Sequence, residues 1–163
     1  MNIFATSDDP VEAALWLDDL RLRKMIVESA QMLSTAVYAH TGKLHSSLYK
    51  PAYPKHPCTL WAGQSQKNFL WLYEHSMAMV AFYEQQWGKE HASHSTLSKC
   101  YKFRKELPRG KLTEFVNCTE FKMLKLPIVK IYQVQMNHKW NHDIRPPLWT
   151  NRPVPPWRHK LDA

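Results

Sequence analysis

Residues 18–42 read DDLRLRKMIVESAQMLSTAVYAHTG. Leu22, Met25, Ile26, Ser29, Leu33, Ala36 and Val37 recur at steps of three and four, the spacing that lines one face of an α-helix. This predicts a helix from about Asp19 to His40, stopped by Gly42. A second stripe of the same period, Arg21, Lys24, Glu28, Gln31 and Thr35, puts a carboxylate among cations and polar groups on another side of that helix.

The flanking segments read in the same way. Asp9, Pro10 and Glu12 form a helix-start signal: a capping side chain, a proline at the first helical position and a capping-box carboxylate. A short helix continues from them through Ala13–Leu17. Residues 43–58, KLHSSLYKPAYPKHPC, contain three prolines and predict an extended connection. Loops of this length are often functional, and this one equally reads as a tether packed by Tyr49 and Tyr53. A third helix is expected from Thr59 to Trp87, closed by Gly88 and apolar on several sides, which suits the central core helix. Leu97, Cys100, Phe103 and Leu107 predict a fourth that breaks before Pro108, with Lys99, Lys102, Arg104 and Lys105 outside. A fifth opens at Pro127 and runs to about Trp140. From Asn141 the chain reads NHDIRPPLWTNRPVPPWRHKLDA, whose five prolines forbid a helix. Its Trp149 and Trp157 either pin the tail to the core or stack on bases. The expected fold is therefore all-α: one compact domain over 1–163 with about five helices and an irregular Pro/Trp/Arg-rich tail over 141–163.

Composition bounds the function classes. With 163 residues and 44% apolar side chains, the chain can bury a core without disulfides or metals. No apolar run approaches the ~20 residues of a membrane span, and no charged-then-apolar leader opens the chain. A soluble, cytoplasmic protein is expected, in the host cytoplasm if phage-encoded. Cys58, Cys100 and Cys118 are odd in number and widely spaced, which suits reduced thiols. The net charge of +8 is uneven: residues 1–88 hold 7 basic and 8 acidic side chains, residues 89–163 hold 15 and 6. A basic half points to a polyanionic partner, most often nucleic acid.

Motifs exclude more than they assign. No phosphate-binding glycine loop, dinucleotide fingerprint or serine-nucleophile elbow is present. His91 with His94, and His138 with His142, have spacings that put two imidazoles on one helix face, but neither pair brings the third ligand a metal site needs. No metal and no cofactor is expected. What remains is Glu28, a carboxylate able to act as a base or to stabilise a developing cation. The plainer reading is a Lys24–Glu28 surface ion pair worth ~0.3–0.5 kcal/mol.

The segment Asp18–Glu28, DDLRLRKMIVE, resembles the second-helix region of the phage-type pyrimidine-dimer DNA glycosylases, the endonuclease V type. Those are small, basic, all-helical enzymes with an essential glutamate nine positions after an aspartate, as Glu28 follows Asp19 here. The resemblance covers about a dozen residues. It implies that Glu28 is the catalytic carboxylate and that the nucleophile is the α-amine of Met1, which would attack C1′ of the damaged nucleotide and form a Schiff base. An α-amine ordinarily titrates at ~7.7–8.0, so a neutral, nucleophilic fraction exists at physiological pH. This chain departs from the family in opening Met1-Asn2 instead of exposing a small residue, and in carrying Val27 and Gln31 where the family has arginines near the glutamate.

The expected function is thus a double-stranded DNA-binding glycosylase with lyase activity on a damaged or modified base. Arg21 and Lys24 would hold flanking phosphates, and Lys50, Lys55, Lys102, Arg104, Lys105, Arg145, Arg152 and Arg158 would supply salt-dependent affinity. Two alternatives stand beside it: a non-catalytic phage accessory protein binding nucleic acid or a host protein, and an enzyme acting on a free nucleotide.

Overall fold

The computed structural model describes residues 1–161, and among these it contains six α-helices and no strand. They are α1 (Pro10–Leu15), α2 (Asp19–Thr41), α3 (Pro57–Gln64), α4 (Gln66–Trp87), α5 (His94–Lys102) and α6 (Ile128–His142), with one 3₁₀ turn at Arg104–Glu106. The all-α expectation holds, with one more helix than expected.

The helix ends follow local chemistry. Asp9 accepts a hydrogen bond from the Glu12 N–H at 2.8 Å, and Pro10 opens α1. Asp18 caps α2, which ends where Gly42 turns left-handed at φ 66°. Gly88 closes α4 in the same way at φ 63°. The single helix expected over 59–87 is two helices. Ser65, extended at φ −152° and ψ 159°, ends α3 and caps α4 through its hydroxyl, which accepts from the Asn68 N–H at 3.1 Å. The apolar spacing runs straight across this break, because Trp61 and Phe69 both face the core.

Helices α2 and α4 cross at the centre, burying Leu22, Ile26, Met32 and Leu33 against Phe69, Leu72, Met79 and Val80. Each of these fully buried large apolar side chains contributes ~1.5–3 kcal/mol. Helix α1 packs on α4, and α3 and α5 each pack on both α2 and α4. Helix α4 also holds the first residues: Trp71 donates to the Asp8 carbonyl at 2.8 Å and His75 to the Pro10 carbonyl at 2.9 Å.

Three irregular segments wrap this frame. Residues 43–56 are pinned where Tyr49 shares a 2.8 Å hydrogen bond with Ser93 and where Thr35 exchanges hydrogen bonds with both backbone groups of Ala52. Tyr49 therefore serves as the expected tether, while Tyr53 is 68% exposed. Residues 107–127 run back along α3 and α4, held by Asn68, Trp61 and Ser65. The tail folds against α2 and α6 through a tryptophan cluster, Trp140 lying 4.9 Å from Trp149 and 5.3 Å from Trp157 between ring centroids. The tail tryptophans pin the chain, and no helix among the described residues is long and apolar enough to cross a membrane.

Candidate functional site

The polar stripe of α2 meets the tail, the chain start and the 43–56 connection in turn. Arg21 grips Asp143 with two hydrogen bonds, 2.8 and 3.0 Å, and also reaches Asp18 at 3.2 Å. Thr35 holds the 43–56 connection. Between them, Glu28 receives the chain start: its Oε2 lies 3.6 Å from the Met1 α-amine, and its Oε1 lies 3.5 Å from Lys24 Nζ. The Met1 side chain is 3% exposed and Glu28 15%, against 67% for Lys24, so the pair sits in the shell of the fold with one lysine at its rim.

The chain start is held there by its own polar contacts. Asn2 Oδ1 accepts from the N–H groups of Ile3 and Phe4 at 2.8 and 3.0 Å, turning the backbone, and Phe4 adopts φ 40°. Asn2 Nδ2 donates to the Cys118 carbonyl at 3.1 Å. Ile3 and Ala5 are buried in the core, and Thr59 donates to the Met1 sulfur at 3.6 Å. The amine is thus positioned by segments far apart in sequence.

Beside it lies a second group. His56, Cys58 and Cys118 each offer one ligand atom, and these atoms lie within 4.8 Å of one another. The Cys58 thiol donates to Cys118 Sγ at 2.9 Å. That hydrogen bond, with Lys122 alongside, outweighs burial and holds the Cys118 thiol down to about 7, while the same bond and burial push Cys58 up. His56 caps α3, its Nδ1 accepting from the Cys58 N–H at 3.1 Å. Burial and then the Met1 ammonium lower its pKa, with Glu28 opposing. Amine, carboxylate, imidazole and two thiols thus form one polar cluster.

Thr59, whose hydroxyl donates to the Met1 sulfur, also lines a groove of about 660 Å³ whose walls include Thr35, Ala36, Pro57, Trp61 and Val116. No family model, curated protein or solved structure matches the chain.

The other residues singled out from sequence are dispersed. Lys50, Lys55, Lys102, Lys105 and Arg145 are exposed. Arg104 lies over the Tyr101 ring at 4.1 Å and donates to its carbonyl. Three of the arginines assigned to phosphate binding are engaged inside the fold. Arg21 is committed to Asp18 and Asp143. Arg152 donates to the Leu15 and Leu17 carbonyls and to Asp19 at 2.8 Å, and Arg158 donates to Asn137, Asn141 and the His159 carbonyl. Asp19, nine positions before Glu28, binds the tail through Arg152 and Thr150. Of the histidine pairs, His94 bonds Glu84 at 2.7 Å, His91 accepts from the Ser93 N–H, and the tilted rings of His138 and His142 lie 4.3 Å apart with His138 beside Glu120. Sequence reasoning missed His56, Cys58 and Cys118 as a group, since the two cysteines are 60 positions apart.

Proposed function

We propose that the protein is a DNA base-excision enzyme of the glycosylase and abasic-site lyase type, acting on a damaged or modified base in double-stranded DNA. The observation that carries this reading is the 3.6 Å approach of the Met1 α-amine to Glu28. An amine from the chain start and a carboxylate from the middle of α2 meet in a sheltered cluster, and the resemblance of residues 18–28 to the pyrimidine-dimer glycosylases gives that meeting a chemistry.

The roles follow from the groups. The α-amine, once it gives up its proton, attacks C1′ of the target nucleotide; the N–C1′ bond to the protein forms as the bond to the base breaks, and the base leaves with a proton. Glu28 accepts the amine's proton and passes it to the departing base, so that it is again a carboxylate as positive charge develops on the sugar. Ring opening gives an iminium, from which loss of the C2′ proton expels the 3′ phosphate and nicks the strand. The nucleotide must leave the duplex stack to reach the amine, and the groove beyond Thr59 offers a largely apolar wall for a flipped base. Lys24 at the rim of the site suits a flanking phosphate.

Glu28→Gln is expected to retain the gel shift with duplex DNA and to lose strand nicking of ultraviolet-irradiated plasmid by at least ~10²-fold, the usual scale of general acid–base assistance. Undiminished nicking would remove Glu28 from the mechanism. Binding with no nicking by the parent chain would favour the non-catalytic accessory reading. The groove beside Thr59 favours a second enzymatic reading, action on a free nucleotide, which predicts nucleotide density in that groove after soaking.

A further inference from the structure

The cluster beside the amine contains two thiols and an imidazole that the proposed DNA chemistry does not use. We propose that His56, Cys58 and Cys118 bind one Zn²⁺ ion, as a Cys₂His site with its fourth position left to water. This goes beyond the glycosylase reading and does not depend on it.

Three observations converge. The first is the donor set: two sulfurs and one ring nitrogen, all within 4.8 Å of one another, are the soft and borderline ligands that select zinc over magnesium or calcium. In a tetrahedral site with Zn–S near 2.3 Å and Zn–N near 2.0–2.1 Å, ligand atoms stand ~3.5–3.8 Å apart. The sulfurs, now at 2.9 Å, need to separate by ~0.9 Å, and the ring nitrogen, within 4.8 Å of both, needs to close by up to ~1.2 Å.

The second is that the ligands are already fixed. His56 and Cys58 stand at the start of α3 in a His-x-Cys pair, so one helix terminus presents both. Cys118 is held through its own backbone: its N–H donates to the Tyr132 hydroxyl at 3.3 Å, and its carbonyl accepts from Asn2 at 3.1 Å. Tyr132, fully buried, in turn donates to the Val116 carbonyl at 2.6 Å. Outer contacts of this kind orient ligands and raise metal affinity.

The third is the company the cysteines keep. A Cys58–Cys118 disulfide would use both sulfurs and leave His56 only its cap on α3, whereas a metal engages all three side chains. Binding converts both thiols to thiolates and releases their protons to solvent, with no change of oxidation state. The ion would tie α3 to the 107–127 segment directly beneath the residues that carry the α-amine, since Asn2 is bonded to Cys118.

The test uses the full chain, reduced and stripped of metal, titrated anaerobically with Co²⁺ as a spectroscopic stand-in. The expected result is one equivalent bound, with the near-ultraviolet thiolate-to-cobalt charge-transfer band and the visible bands of a tetrahedral ion, both abolished by added Zn²⁺. Cys58→Ser and Cys118→Ser should each weaken the charge-transfer band, and the double variant should lose it. Zn²⁺ should raise the melting temperature of the parent chain and not that of the double variant. Absence of charge transfer in the parent overturns the proposal whatever the variants do. So does a cobalt spectrum that survives in the double variant, which would put the ion at other histidines. A chain that forms a Cys58–Cys118 disulfide in air and takes no cobalt after reduction overturns it too. None of these readouts involves DNA.

Discussion

His75 is fully enclosed, stacked on Trp71 with ring centroids 5.0 Å apart and donating to the Pro10 carbonyl. Burial lowers its pKa to about 4, against an ordinary value of ~6.5. In the unfolded chain this imidazole takes up a proton as pH falls through 6.5, while in the folded chain it stays neutral until about 4. Stability from this group is therefore complete above pH 6.5 and is lost progressively down to about pH 4, by an amount on the order of 3 kcal/mol. His75→Gln should flatten the pH dependence of urea unfolding across that window; an unchanged slope would show that His75 does not drive acid sensitivity. At this scale Glu28 is legible as the one carboxylate in a polar stripe, because helical period is a local property. Its meeting with Met1 is not, since nothing near residue 28 encodes where the chain start will lie. The same holds for the arginines. Sequence shows a positive charge and, for Arg21, the neighbouring Asp18, but Asp143 and Asp19, the other partners of Arg21 and Arg152, lie 122 and 133 positions away.

Among the elements, the 107–127 segment shows how a region without regular structure is made specific. Asn68, fully buried on α4, accepts from the Thr113 N–H at 2.9 Å and donates to the Trp61 carbonyl at 2.9 Å and the Thr113 hydroxyl at 2.8 Å. With Trp61 donating to the Glu114 carbonyl, this fixes the route that brings Cys118 to Cys58. Asn68→Ala leaves a buried N–H and carbonyl unpaired as well as opening a cavity. It should cost about 2–4 kcal/mol in urea unfolding, and a variant as stable as the parent would mean that the segment is held elsewhere. The start of α1 and the ends of α2 and α4 are legible from Asp9, Gly42 and Gly88, each of which acts on its nearest neighbours. The break at Ser65 is hidden because the apolar period passes through it unaltered.

Across the whole molecule, two kinds stand out among the 22 basic residues. Arg21, Arg152 and Arg158 tie the tail and α6 to the frame, whereas Lys50, Lys55, Lys102, Lys105 and Arg145 are exposed. These kinds should separate in solution. Replacing Lys102 and Lys105 with Gln should reduce the slope of log affinity for duplex DNA against log salt, by up to ~0.9 for each phosphate left without its lysine, and stability should not change. Arg152→Gln should do the reverse, costing about 3 kcal/mol in stability because it removes the ion-pair partner of Asp19 and the donor to two carbonyls, while leaving the slope alone. A salt slope unaffected by the lysine variant would place the DNA-binding face elsewhere.

The most direct test is covalent trapping: the chain is incubated with an abasic-site duplex and sodium borohydride, and the adduct is located by peptide mass mapping. The account predicts a reduced sugar adduct on the Met1 α-amine that disappears when residues are added ahead of Met1. No adduct, or one on a lysine side chain such as Lys24, would contradict it.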